Sequence, residues 1–288
     1  MRVVARQRGS AVTGFALALA LLGTACAGVE AEERTAVAAL YPLAFAAERI
    51  AGPGWRVIDL TPPGAEAHDL ELSLEDRSTL GRADLQFVLD PEFQPQVWRS
   101  IGDSGGVIHV ISDEPLADPH LWLSPRTYLR RMVEPVLDAF VGYLGDDRDE
   151  PYRRRYRDLE RDLRALTGRY DRVLASCRHD TLIVSHEAFG YLAADHKLRQ
   201  FGLAGLSPEA EPTHDRIVEA QRLLADGRAG AVFFEAGEDA ERIARSVARD
   251  AGVPALPLST LESQPEEGDY LSVMEDNLES LREGLGCE

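Results

Sequence analysis

Short apolar runs alternate with amphipathic stretches along most of the chain. Residues 35–40 and 55–60 are compact β-rich runs. Between them, 42–50 has helical spacing and stops at Gly52-Pro53-Gly54. A helical pattern over 72–83 leads to a buried-strand pattern at 85–89, and 107–111 is a further β-rich run. After residue 180 the alternation returns. The runs 181–185, 231–234 and 255–258 predict strands, and 187–196, 214–225, 240–251 and 270–285 predict helices. Strands alternating with helices predict an α/β fold with parallel sheets.

The middle of the chain is different. Residues 126–144 predict a helix, broken by Gly145-Asp146-Asp147. From Pro151 onward, Tyr152, Tyr156, Leu159, Leu163, Leu166, Tyr170 and Val173 recur at alternating spacings of four and three, with Arg, Asp and Glu filling the other faces. That is one apolar stripe of a single long helix. At about 25 residues it would be roughly 37 Å long, enough for a stiff strut between two α/β halves.

The N-terminus predicts an export signal. Arg2, Arg6 and Arg8 precede an apolar stretch over 11–22, followed by Gly23-Thr24-Ala25-Cys26. Small residues before a cysteine resemble a lipobox, which would make Cys26 the lipidated first residue of the mature chain. Read as an Ala-x-Ala cleavage site, the same stretch would release a soluble protein. Both readings place the chain outside the cytoplasm, lipid-anchored to the cell membrane or periplasmic. No later segment has the ~20 apolar residues of a membrane span. In an oxidising compartment the two remaining cysteines, Cys177 and Cys287, are expected to form a disulfide.

The net charge of −18 excludes a basic nucleic-acid-binding face and suits a cation ligand. Three of the seven histidines sit in loops that follow predicted strands. These are His68 in Pro62-Pro63-Gly64-Ala65-Glu66-Ala67-His68-Asp69, His120 in Asp118-Pro119-His120, and His186 in Val184-Ser185-His186-Glu187. Open α/β sheets bind ligands at the carboxyl ends of their strands. Two of these loops belong to the first half and one to the second, so they point to a site between halves. Their spacing matches no short zinc motif. His109 is expected inside a strand, His179 and His196 exposed, and His214 at a helix start.

Taken together, Tyr41-Pro42-Leu43, the His68, His120 and His186 segments, Ala188-Phe189-Gly190-Tyr191, Val232-Phe233-Phe234-Glu235 and Asp269-Tyr270-Leu271 resemble the TroA-like (cluster A-I) zinc and manganese solute-binding proteins of bacterial ABC importers, of the zinc-uptake type. The resemblance implies two similar α/β domains, each a mainly parallel sheet flanked by helices, joined by one long rigid helix with modest domain movement. The divisions are a signal peptide over 1–26, an N-terminal lobe over 35–125, a helical segment over 126–176 and a C-terminal lobe over 177–288. It implies His68, His120 and His186 as metal ligands, Zn²⁺ as cargo with Mn²⁺ as the alternative, and an ABC permease and its ATPase as partners of a monomeric chain. Ser259 stands where the family often has a ligand Asp, which leaves the fourth position to water or to a carboxylate such as Glu235 or Glu66. The segment 112–117 lacks the His-rich loop of some relatives. A metal-sequestering or adhesin surface lipoprotein is an alternative. A zinc hydrolase is disfavoured by the absence of an HExxH helix, a nucleophile elbow or a phosphate loop, so no catalytic residue is expected.

Overall fold

A computed structural model describes residues 33–288, apart from residues 69, 102–106, 111–117, 146–147, 207–209 and 236. The signal segment and Cys26 lie outside the described residues, as does the short loop 112–117. Among the described residues no helix is long and apolar enough to cross a membrane.

The first half contains β1 (Arg34–Ala38), α1 (Tyr41–Ala51), β2 (Trp55–Asp59), α2 (Leu74–Arg82), β3 (Leu85–Val88), α3 (Pro95–Ile101) and β4 (Val107–Val110). Its four strands are parallel in the order β2-β1-β3-β4. The helical middle follows as α4 (Pro125–Tyr128), a wider π-helical turn (Leu129–Val133), α5 (Glu134–Leu144) and α6 (Glu150–Val173). The sequence predicts one helix over 126–144. Pro135 has no N–H to offer a carbonyl one turn back, and the backbone widens just ahead of it.

The second half contains β5 (Thr181–Val184), α7 (Gly190–Asp195), β6 (Arg199–Gly202), α8 (His214–Ala225), β7 (Val232–Phe234), α9 (Glu238–Ala251), β8 (Ala255–Pro257) and α10 (Tyr270–Leu285). These strands are also parallel, in the order β6-β5-β7-β8. The two sheets therefore share one winding. Strand β6 and helix α3 were not predicted. Arg199-Gln200-Phe201-Gly202 is a short polar edge strand, and α3 is only seven residues long.

Helix α6 spans 24 residues, about 36 Å. It buries Tyr152, Leu159, Leu163, Leu166 and Tyr170, the stripe read from the sequence. Towards the first half, Arg49 bonds Asp162 at 2.7 Å and Trp55 Nε1 donates to Tyr152 Oη at 3.0 Å. Arg155 caps the end of α1 by donating to the carbonyls of Ile50 and Ala51. Gly52 makes that approach possible: its φ is +72°, and a Cβ there would lie 2.4 Å from the Arg155 guanidinium carbon. Towards the second half, Tyr170 Oη donates to the Met274 carbonyl of α10 at 2.6 Å.

The core runs through both halves. Leu182 and Val184 of β5, Phe233 of β7 and Ala231 just before it face the same apolar cluster as β1, β3, α1, α6 and α10. Ile183, Val232 and Phe234 alternate to the other face and pack under α8 and α9. A disulfide joins Cys177, just past α6, to Cys287, just past α10.

The bridge closes a loop of 110 residues, for which chain entropy gives up to ~5 kcal/mol and typical native bridges give ~2–4. Reduction, or Cys177→Ser with Cys287→Ser, is expected to lower the thermal midpoint by about 5–15 °C in a calorimetric melt.

Candidate metal centre

Four strand-end loops meet at one point. His68 follows β2, His120 follows β4, His186 follows β5 and Glu262 follows β8. One ligand atom from each lies within 4.8 Å of all the others. Glu262 Oε1 is 3.5 Å from His68 Nε2, 3.3 Å from His120 Nε2 and 3.9 Å from His186 Nε2. The His68 and His120 Nε2 atoms are 3.4 Å apart. Side-chain exposure is 0% for His120, 1% for His186, 5% for Glu262 and 17% for His68.

The carboxylate that joins the imidazoles is thus Glu262, three residues past Ser259. Glu235 stands behind His186, with Oε2 at 3.3 Å from Nδ1, and accepts from the Thr260 hydroxyl. Glu66 is not one of the four clustered groups: it accepts from its own loop at the His68 N–H (3.5 Å) and lies against Glu262. Ser259 faces elsewhere: its Oγ accepts from the Leu261 N–H, and its backbone pairs with the Asn277 amide. That pairing turns the chain through Leu261 at φ +54° and aims Glu262 inward. The signal that flagged the histidines, a strand-end loop, would have reached Glu262 had it been followed past Ser259.

His120 Nδ1 lies 2.9 Å from Asp118 Oδ1, which also accepts the His120 backbone N–H. Gly190 admits Asp118, because a Cβ there would sit 2.5 Å from Asp118 Oδ2. The adjacent Trp122 donates Nε1 to the Thr260 carbonyl at 2.6 Å, and Tyr270 Oη donates to the Trp122 carbonyl at 2.5 Å. At the other rim, the Gly64 N–H donates to Ser263 Oγ at 3.1 Å.

Burial alone would push His120 down, but Asp118 and Glu262 outweigh it and raise it to about 9. Burial and the neighbouring His120 lower His186 to about 4. Burial would raise Glu262, but His120, His68 and Glu66 hold it well below the ordinary range. Glu66 and Glu235 are pushed up, both by burial first, then Glu66 by a hydrogen bond to Glu262 and Glu235 by the Glu262 charge. His186 Nε2 and both Glu262 oxygens are buried without a hydrogen bond among the described residues. Such orphaned groups are costly unless something fills the gap between them. A tetrahedral ion about 2.0–2.1 Å from each donor spaces its ligands ~3.3 Å apart, close to the 3.3–3.5 Å found among His68, His120 and Glu262.

The other histidines stand apart. The backbone of His109 lies in β4 and His214 opens α8. His179 Nδ1 donates to the Gly227 carbonyl (2.9 Å). His196, expected to be exposed, is only 8% exposed in its side chain, beside Asp171 and the Tyr170 ring, because α7 packs it towards α6.

Two parallel sheets that turn their carboxyl ends to one small buried His and Glu cluster make a two-lobed, binding-protein architecture. The profile of the zinc-uptake complex component A (ZnuA) family, described as periplasmic, matches residues 36–284, and the chain belongs to that family. That family is a transport component, not an enzyme. The zinc-binding lipoprotein AdcA of Streptococcus pneumoniae is 32% identical over 171 residues, covering 58% of this chain and 34% of the relative. The chain thus spans about a third of the length of those curated relatives. The high-affinity zinc uptake system protein ZnuA of Bacillus subtilis is 26% identical, over 86% of each chain. Among solved structures, the Zn(II)-bound ZnuA-like domain of S. pneumoniae AdcA gives a TM-score of 0.75 at 27% identity, covering 88% of this chain and 99% of that one. The laminin binding protein Lmb of Streptococcus agalactiae, titled a bifunctional protein with adhesin and metal transporting activity, gives 0.79 at 26% identity with the same coverage.

The His68 loop begins at Asp59, whose Oδ1 accepts the Thr61 N–H while Oδ2 is buried without a partner. Burial, with Glu48 nearby, raises Asp59 from 3.8 to about 7. The folded chain therefore holds this proton more tightly, and stability falls as pH climbs from about 4 to about 7. Asp59→Asn keeps the acceptor and removes the charge. It is expected to stabilise the protein by about 1–3 kcal/mol at pH 8 and to change nothing at pH 4, as read by urea unfolding.

Proposed function

We propose that this chain is the extracytoplasmic zinc-binding component of an ABC importer. The Nε2 atoms of His68, His120 and His186 and the carboxylate of Glu262 would hold one Zn²⁺ between two lobes for delivery to a permease driven by its ATPase. The observation that carries this reading is the set of buried, unpartnered donors at His186 and Glu262, closed by the other two imidazoles. Three imidazoles and one carboxylate suit Zn²⁺ better than Mn²⁺, which favours oxygen-rich sites. The names of the relatives support the same metal. Asp118 and Glu235 would fix the tautomers of His120 and His186 through Nδ1.

The same reading includes a monomer anchored by lipid at Cys26, with lobes over 35–125 and 177–288 and the helical segment 126–176 between them.

Stripped with chelator and titrated against a chromogenic competitor, the chain is expected to bind one Zn²⁺ tightly. His120→Ala should weaken binding at least 100-fold, as loss of a fully buried ligand would. Absence of stoichiometric binding, or indifference to His120, would defeat the reading.

The pH dependence has a definite sign. Asp118 and Glu262 raise His120 to about 9 in the metal-free chain and so favour a proton on it that Zn²⁺ must displace. Affinity is therefore expected to keep rising between pH 7 and about 9, well above the ordinary imidazole value of ~6.5. Calorimetry in buffers of different ionisation enthalpy should show net proton release on Zn²⁺ binding at pH 7.5.

A further inference from the structure

The three imidazoles are oriented in two different ways. His120 and His186 each turn Nδ1 to a carboxylate, Asp118 at 2.9 Å and Glu235 at 3.3 Å. Among the described residues, no carboxylate orients His68 in that way. Its ring instead meets the Phe93 ring edge-on, with centroids 4.5 Å apart and planes at 70°. It is also the most exposed of the four groups.

The loop that carries His68 is held from beneath at two points. Near its start, Thr61 Oγ1 donates to the Ala39 carbonyl at 2.7 Å. Next to His68 itself, Gln94 Nε2 donates to the Ala67 carbonyl at 3.1 Å and also to the Ala39 carbonyl at 3.1 Å. Gln94 is 3% exposed, so neither carbonyl has water as a ready substitute. Both neighbours are acceptors, and both are met by one side-chain nitrogen. An amide NH₂ supplies two donors there, whereas a carboxylate or a single hydroxyl cannot. The turn at 90–94 carries both Phe93 and Gln94, and is itself fixed by Asp90 Oδ1 accepting the Glu92 and Phe93 N–H groups at 2.8 and 3.3 Å. One turn thus supports the loop through Gln94 and the imidazole through Phe93.

We propose that Gln94 is the positioning residue for His68: by bridging the end of β1 to Ala67, its amide fixes where the His68 imidazole stands and so how fast the bound ion is released. This rests on the metal-capture reading above. Gln94 touches no ion in this scheme and acts only through the loop.

The test is a double-mutant cycle on the full chain, with Zn²⁺ as the probe. Affinity is read by competition, and release by transfer to excess chelator. Gln94→Ala is expected to weaken Zn²⁺ binding about 10–100-fold, chiefly through faster release, as loss of a group that orients a metal ligand does. In a His68→Ala background the same substitution should change affinity less than about twofold, because the group it positions is gone. Thermal melts of the metal-free proteins separate this from general destabilisation. If Gln94→Ala does not fold, Gln94→Met keeps the volume without the donors and serves in its place. Equal losses with and without His68, or no loss in either variant, would overturn the proposal. An unaltered chain that takes up no Zn²⁺ would instead overturn the metal-capture reading, and the proposal with it.

Discussion

Everything in this structure answers to one constraint: three imidazoles and a carboxylate are held within 4.8 Å of one another in a nearly dry space. Left to itself such a cluster would hydrate and spread, since His186 Nε2 and the Glu262 oxygens find no hydrogen bond there. The architecture prevents this by making the two halves inseparable. The apolar cluster passes from β1 and β3 through α6 and α10 to one face of the second sheet. Trp122, Tyr270 and Tyr41 then tie the His120 loop, the Glu262 loop and α1 together by buried hydrogen bonds. Holding four side chains this close moves the cost of ordering them into folding, where a large core can offset it.

The electrostatics follow from the same enclosure. Glu262 keeps its negative charge because His120 carries a proton beside it, and that proton occupies the electrostatic role a cation would fill. Burial, with the His120 imidazole beside it, favours the neutral form of His186, which leaves it a lone pair. Glu235 and Glu66 are pushed towards their protonated forms by burial first and by Glu262 beside them, so the pocket does not accumulate three negative charges. The −18 of the whole chain is therefore not concentrated at this point.

Much of this could be read in the sequence because it rests on periodicity. The 4,3 spacing from Tyr152 to Val173 became α6, and a histidine just past a predicted strand became, three times, a group in the cluster. What escaped lacked a periodic signal. Strand β6 is four residues of an edge, mostly polar, and only its pairing with β5 makes it a strand. Glu262 is one acid among many. What sets it apart is the left-handed turn at Leu261 and the pairing of Ser259 with Asn277 across 18 residues, both tertiary facts. Glu235, offered for the fourth position, lies in the right neighbourhood but on the far side of His186. Gln94 gave no sign at all, because its role depends on two carbonyls brought together by folding.

The two sheets have the same winding, yet the site does not share their symmetry. His120 and Glu262 follow equivalent outer strands, β4 and β8, whereas His68 follows an edge strand and His186 the strand beside an edge. The equivalent pair lies on the side closed by Trp122 and Tyr270, where the halves are cross-bonded. His68 stands at the opposite extreme, on a loop whose links to the second half include the bond from Gly64 to Ser263 at the solvent rim. Prising the lobes apart would split a continuous core, while moving the His68 loop disturbs a few hydrogen bonds. Of the two movements the local one is energetically the easier, and it begins with the imidazole that solvent already reaches.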